Sequence, residues 1–302
     1  MTDREARNEI WPVILAAGDE EENQPFMRRC LFRQKPRQYY SPAGSKSIFQ
    51  QTLERAELLA AAECRVTVIA RQHYLKTLQQ VGVYRPGKLV AAPFERGTAG
   101  EVFLGLAHVC SHNPQATVIL LPCEHFGYPE DEFVRAATAG IRATDLLSDR
   151  LVLLAVASNG STPLFGSIQP GREYGWIANY HVRAVEALWE RLDSSKSGAL
   201  NHTSILVAKA ETLWKMGRYC VPEIMRPVER YRAAIGTERE QAVLEEVYER
   251  MPSRNFFTHV LQSSPERTAV IEMSGILSRD WRGLKRMAPT FHELEESSRS
   301  VA

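Results

Sequence analysis

Apolar residues along this chain fall into two kinds of pattern. Short unbroken runs occur at Pro12–Ala17, Arg65–Ala70, Lys88–Ala91, Thr117–Leu121 and Leu151–Ala157, as in strands buried on both faces of a sheet. Between them lie stretches with helical spacing. Ser47–Ala62 places Ile48, Leu53, Ala56 and Leu59 near one face, and Ala99–Ser111 and Glu130–Ala143 follow the same rule. Strand and helix in alternation predict an α/β fold, a Rossmann-like, mostly parallel sheet flanked by helices.

Beyond Ala157 the pattern becomes less regular. The stretch "NGSTPLFGSIQPGREYGWI" is rich in turn formers with short extended pieces between them. Val182–Leu192 is compatible with either a strand or a helix, Thr203–Ala208 reads as extended, and Ala210–Tyr219 and Pro227–Arg250 read as helical. A last extended piece is expected at Thr268–Met273. With no internal repeat or low-complexity linker, one domain over residues 11–290 is expected, divided into halves 11–157 and 158–290, with flexible tails at 1–10 and 291–302.

Composition narrows the class only a little. The 302 residues include 44% hydrophobic and 24% charged side chains, and 37 basic against 36 acidic groups leave a formal net charge of +1. Such a balance gives no reason to expect nucleic acid or a membrane as partner. No apolar run approaches the roughly 20 residues of a membrane-spanning helix. The polar N-terminus "MTDREARNEIW" does not read as a secretory signal. Five scattered cysteines without a CxxC pair suggest a reduced, cytoplasmic protein.

Candidate chemistry begins at Gly18, which follows "VILAA" at the carboxyl end of the first expected strand. In a doubly wound sheet that is where ligands bind, and glycine lets a backbone approach a phosphate closely. A simple turn is the alternative. Asp19, Glu20, Glu21 and Glu22 come next, followed by Arg28, Arg29, Arg33 and Lys35. No GxGxxG follows the strand, which argues against a dinucleotide-dependent enzyme.

The order of motifs from here resembles the sugar nucleotidyltransferases, most closely the mannose-1-phosphate guanylyltransferase branch. LAAG (Leu15–Gly18) stands where that family has LAGGxGTRL, PRQY (Pro36–Tyr39) where it has PKQF, and TLERA (Thr52–Ala56) where it has TLxRA. APFERGTAG (Ala92–Gly100) resembles EPxNRGTAP, LLPCEHF (Leu120–Phe126) resembles PSDHF, and LFGSIQPG (Leu164–Gly171) resembles GYGYIxPG. LWERL (Leu188–Leu192), LNHTSILVAKAETL (Leu200–Leu213) and SRDWRGLKRM (Ser278–Met287) resemble FxEKP, LWNxxxxVxxAxTL and WSDWGxPxRV.

The resemblance implies a nucleotide-diphospho-sugar transferase fold, with a nucleotide-binding first half and a sugar-binding second half. It also implies attack of a sugar-1-phosphate oxygen on the α-phosphorus of a nucleoside triphosphate, with pyrophosphate leaving. GTP and a GDP-mannose type of product follow from the branch. Under it, Arg37 and Arg191 are the catalytic cations, and Gly18, Lys35, Gln38, Arg96, Gly97, Thr98 and Pro122 bind nucleotide. Gly166, Glu190 and Asn201 bind the sugar, Glu124 and Asp280 hold Mg²⁺, and homodimers are common among relatives. Without the resemblance, Thr98 reads as an N-cap and Glu124, Asp280 and Glu190 as surface acids.

The chain also departs from the family. In ungapped register the triphosphate-gripping arginine falls on Glu22 and a signature glycine on Glu20. At ~4 Å and an effective dielectric near 20, reversing one such charge changes a phosphate contact by several kcal/mol. Two readings remain open at this point. One is an enzyme with a rebuilt loop; the other is a catalytically impaired relative with a binding or regulatory role.

Overall fold

The computed structural model describes residues 9–18, 36–39, 41, 46–123, 126–128, 130–158, 166–190, 198–273 and 277–279. The first four apolar runs form adjacent parallel strands. They are β1 (Ile10–Ala16), β2 (Val66–Ala70), β3 (Lys88–Ala92) and β4 (Thr117–Pro122). They lie in the order β3-β2-β1-β4, with Val13 opposite Val66 on one side and Leu120 on the other. The chain moves outward from β1 to β3 and then returns to β4, which makes the carboxyl ends around β1 a topological switch point.

The helices cover both faces as the alternation requires. On one face α1 (Ile48–Leu59) packs Phe49, Leu53, Ala56 and Leu59 into the same core as Phe133 and Ala136 of α4 (Glu130–Leu146). A capping box starts α1: the Ser47 hydroxyl accepts from Gln50 N–H and the Gln50 side chain accepts from Ser47 N–H. Between them, Arg55 is 4% exposed and donates two hydrogen bonds of 2.8 Å to Glu130, with its guanidinium over the Phe133 ring. The exposed helix α2 (Tyr74–Val81) connects β2 to β3.

The other face carries α3 (Gly97–His112) and three later helices, α5 (Ala210–Cys220), α6 (Pro222–Ala234) and α7 (Glu240–Arg250). Phe103 and Leu106 of α3, Trp214 of α5, Val228 and Tyr231 of α6 and Leu244 of α7 share one core with the sheet.

Past β4 the sheet becomes mixed. β9 (Leu200–Lys209) lies antiparallel between β4 and β6 (Leu151–Ala157). β10 (Thr268–Glu272) then runs parallel to β6, and β8 (Tyr180–Trp189) and β7 (Ser167–Ile177) complete the nine-stranded order β3-β2-β1-β4-β9-β6-β10-β8-β7. β7 also pairs with the start of β9, so β6, β10, β8, β7 and β9 form a closed ring. The ambiguous segment after Val182 is extended, and the turn-rich stretch from Ser167 is a single strand. Its turn formers Pro170 and Gly175 sit where the β7–β8 register shifts, and such bulges let glycine and proline occur inside a ladder.

A small ladder pairs β5 (Phe126–Tyr128) with β11 (Leu277–Arg279) antiparallel, with Phe126 opposite Arg279. Among the described residues no helix is long and apolar enough to cross a membrane, and Cys110 and Cys220 are free thiols.

Candidate nucleotide and sugar site

β1 ends at Ala16, and Ala17 and Gly18 continue from its carboxyl end into the floor of a cavity of about 470 Å³. Arg71 and Gln72 after β2, and Phe94, Arg96, Gly97 and Thr98 after β3, supply its walls. Four of the residues expected at the nucleotide, Gly18, Arg96, Gly97 and Thr98, are therefore brought to one cavity. Glu95 and Glu101 also line it, and a further wall that no motif marks comes from Tyr248, Ser253 and Asn255, at the end of α7 and in the strap that follows it.

The strap and the turn before α3 are fastened together. Arg96 Nε donates to the Tyr248 carbonyl at 2.7 Å and Nη2 to that of Glu249 at 3.2 Å, capping the last turn of α7. Arg254 N–H donates to Arg96 O at 3.2 Å, and Ala99 N–H to Arg254 O at 3.0 Å. Gly97 has φ +69°, and a Cβ there would lie 2.3 Å from Arg254 O. The Thr98 hydroxyl accepts the Phe256 N–H at 2.8 Å. This corrects the N-cap reading of Thr98: α3 begins at Gly97 with Arg96 at the cap position, so Thr98 sits in the first turn and its oxygen serves the strap.

Gln38 has a comparable position. Its amide is 4% exposed and donates to Ala16 O at 3.0 Å, bolting the Arg37–Tyr39 turn to the end of β1. Tyr39, beside it, shares a 2.5 Å hydrogen bond with Thr77, and burial pushes its phenol up to about 12. Pro122 ends β4 opposite Leu15 of β1.

The residues expected at the sugar lie on the closed ring. Gly166 has φ +107°, and a Cβ there would meet Trp189 O at 2.5 Å and the Phe257 ring at 2.8 Å. Gly166 O accepts from His202 N–H at 2.9 Å, next to Asn201. Asn201 pairs directly with Ser167 of β7 and Val156 of β6. Thr203 and Ser204 stand between the partnered positions His202 and Ile205, with Ser204 at φ +60° and the Thr203 hydroxyl donating to Leu154 O at 2.5 Å. That bulge is where β9 changes its second neighbour from β4 to β7. Glu190 follows β8 and is exposed. His202 is buried against Phe257, and burial lowers its imidazole to about 3.

Lys35, Glu124, Arg191 and Asp280 lie outside the described residues, as do Asp19–Glu22, Arg28, Arg29 and Arg33; for Arg37 the backbone alone is described. The β5–β11 ladder stops at Phe126 and Arg279, two residues after Glu124 and one before Asp280 in the sequence.

Sheet order, switch point and cavity define an α/β protein of the nucleotidyltransferase fold. A Thermus thermophilus crystal structure described as mannose-1-phosphate geranyltransferase aligns with a TM-score of 0.74 and 22% identity, over 92% of this chain and 78% of the other. One described as mannose-6-phosphate isomerase from Helicobacter pylori aligns at 0.69 and 16%, over 90% of this chain and 100% of that one. In sequence the chain resembles the sugar nucleotidyltransferase family. The alginate biosynthesis protein AlgA of Pseudomonas putida is 25% identical over 171 residues, 55% of this chain and 31% of AlgA. The chain spans about a third of the length of the curated relatives it matches, and no family model matches it.

Proposed function

We propose that this protein is a sugar nucleotidyltransferase that joins a nucleoside triphosphate to a sugar 1-phosphate and releases pyrophosphate, with GTP and a GDP-mannose type of product as the particular case. The observation that carries the reading is the meeting of Gly18 with the Arg96–Thr98 turn in one cavity at the carboxyl ends of β1–β3. A sugar-phosphate oxygen attacks the α-phosphorus in line with the departing pyrophosphate. Such a transfer asks for positioning and charge neutralisation more than for proton transfer. Arg37 and Arg191 take the neutralising role, with Lys35, Gly18, Gln38, Arg96, Gly97, Thr98 and Pro122 forming the nucleotide side. Gly166, Glu190 and Asn201 form the sugar side.

Mg²⁺ is the expected cofactor. Carboxylate oxygens are the donors this ion prefers, and pairing of β5 with β11 supports assigning Glu124 and Asp280 to it, because the strands next to both run side by side. When bound, the ion would withdraw charge from phosphate oxygens. We place the activity in the cytoplasm and the chain in a homodimer, which sedimentation tests.

The experiment is titration with GTP and Mg²⁺, followed by pyrophosphate release across a panel of sugar 1-phosphates. Activity should fall by most of its value in both Arg37→Ala and Asp280→Ala. The second reading, a binding or regulatory protein without turnover, is favoured by Asp19–Glu22 directly after Gly18. Nucleotide binding with no pyrophosphate release would select it, and absence of both would end the enzyme reading.

A further inference from the structure

Among the described residues two cations line the cavity that contains Gly18: Arg71, from the turn after β2, and Arg96, from the turn after β3. One helix, α7, holds both. Arg96 is committed to main chain, since its guanidinium donates to the carbonyls of Tyr248 and Glu249 and lies over the Phe94 ring. Arg71 meets a side chain instead. Its Nη2 is in ion-pair contact with the Glu245 carboxylate but outside hydrogen-bond geometry. The two side chains are 40% and 35% exposed, so solvent screens the pair. Glu245 Oε1 also accepts from Gln241 Nε2 at 2.9 Å, so the carboxylate keeps a partner when the arginine turns away.

The charges around the cavity make Arg71 the cation that can be released. Glu95 and Glu101 line the same cavity and offset the two arginines. Four more acids, Asp19–Glu22, follow Gly18 directly in the sequence. A polyphosphate entering at Gly18 therefore meets repulsion unless a guanidinium turns toward it. Moving Arg96 breaks two hydrogen bonds and uncaps the last turn of α7, leaving carbonyls unpaired. Moving Arg71 exchanges one exposed carboxylate for a phosphate, anion for anion, and the guanidinium fork suits either.

We infer that Arg71 is a phosphate-binding residue of the nucleotide cavity and that Glu245 is its resting partner, a carboxylate that the terminal phosphates of the nucleotide displace. This rests on the nucleotide side of the sugar nucleotidyltransferase reading and adds to it a residue that no motif marks. Glu245 competes for the guanidinium and so lowers nucleotide affinity. Through this carboxylate, α7 sets how strongly the cavity holds a polyphosphate.

The test uses the full chain with Mg²⁺ present. GMP, GDP and GTP are titrated calorimetrically into wild type, Arg71→Ala, Arg71→Lys and Glu245→Gln, and pyrophosphate release is followed in parallel. Arg71→Ala should weaken GTP binding roughly ten- to hundredfold, with the loss growing from GMP to GTP. Arg71→Lys, which keeps the charge and loses the fork, should fall between wild type and the alanine variant. Glu245→Gln should tighten GTP binding about two- to fivefold, because a screened competitor is removed. The thermal midpoint of Arg71→Ala should stay within about two degrees of wild type. Equal losses for GMP, GDP and GTP would place Arg71 away from the terminal phosphates and overturn the inference. So would a midpoint lowered by several degrees with all three nucleotides weakened alike, which marks a structural role. An unchanged or weaker GTP affinity in Glu245→Gln overturns the exchange. If wild type binds GTP and Arg71→Ala binds it as tightly, the inference fails while the parent reading stands. Absence of nucleotide binding in wild type removes both.

Discussion

The guanidinium of Arg96 donates to the main-chain carbonyl of Tyr248 across 152 positions of sequence, at 2.7 Å. The residue that the motif marks as a nucleotide contact is thereby also the cap of α7. A turn that faces the cavity and a helix from the second half of the chain are held in one piece, so a change at either should be felt at the other.

Replacing Arg96 by lysine should therefore cost more than a like-for-like charge swap. A single ammonium lacks the guanidinium fork that reaches both Tyr248 O and Glu249 O. A loss of about 1–2 kcal/mol in denaturant unfolding is expected, with weaker nucleotide binding. Amide exchange should rise in residues 248–256.

Gly97→Ala and Gly166→Ala should both be strongly destabilising. Each combines positive φ with a Cβ that would sit 2.3 Å from Arg254 O or 2.5 Å from Trp189 O. Loss of about 2–4 kcal/mol is expected, read from thermal or urea unfolding. Gly236→Ala, with φ +79° but nothing within 4 Å of the added Cβ, should cost less and so separates strain from collision.

The Arg55–Glu130 pair should matter despite its position near the surface. Arg55 is buried while the Glu130 side chain is 42% exposed, so solvent screening discounts the pair below a fully buried one. Glu130→Ala should lose about 1–2 kcal/mol. Arg55→Leu combined with Glu130→Ala should lose less than the sum of the single changes, as a double-mutant cycle would show.

Two buried histidines give the fold an acid limit. Burial holds His108 down to about 4, with the nearby Lys88 charge adding to the effect, and burial holds His202 down to about 3. His112 also lowers His108, while Glu240 opposes the shift. Both folded values lie below the ordinary imidazole value, so the unfolded chain binds more protons below about pH 6.5. The contribution of these two groups should be constant above that pH and fall as pH drops from about 6.5 toward 4, with a slope approaching ~1.4 kcal/mol per unit for each group. His202→Phe, which keeps a ring against Phe257, should flatten the urea-midpoint profile over that interval.

The legible part of the fold was the part written in local pattern. β1 to β4, β6, α1, α3 and α4 coincide with their apolar runs and periodicities because each buries a continuous or one-sided apolar surface, which any neighbouring segment must respect. Harder to read was Ser167–Ile177. Proline and glycine punctuate it, and only pairing with β8 shows them to be at register shifts within one strand. The site divided in the same way. Gly18 was visible as a glycine after an apolar run, and Arg96–Thr98 only through the motif that the stretch resembles. Tyr248, Ser253 and Asn255 were not, since nothing in "YERMPSRN" states that it will lie against a turn some 150 positions earlier.

Sequence alone determined the α/β class, the positions of the early strands and helices, and the order of motifs that resembles sugar nucleotidyltransferases. Those properties reside in local apolar spacing and in residue types at short separations. Tertiary structure alone decided that Gln38, Arg96 and Thr98 hydrogen-bond to other parts of the chain, that β9 runs antiparallel and closes a ring with β7, and that Ser167 and Asn201 lie side by side. Hydrogen-bond partners and strand register are set by which distant segments pack together, and no single segment carries that information.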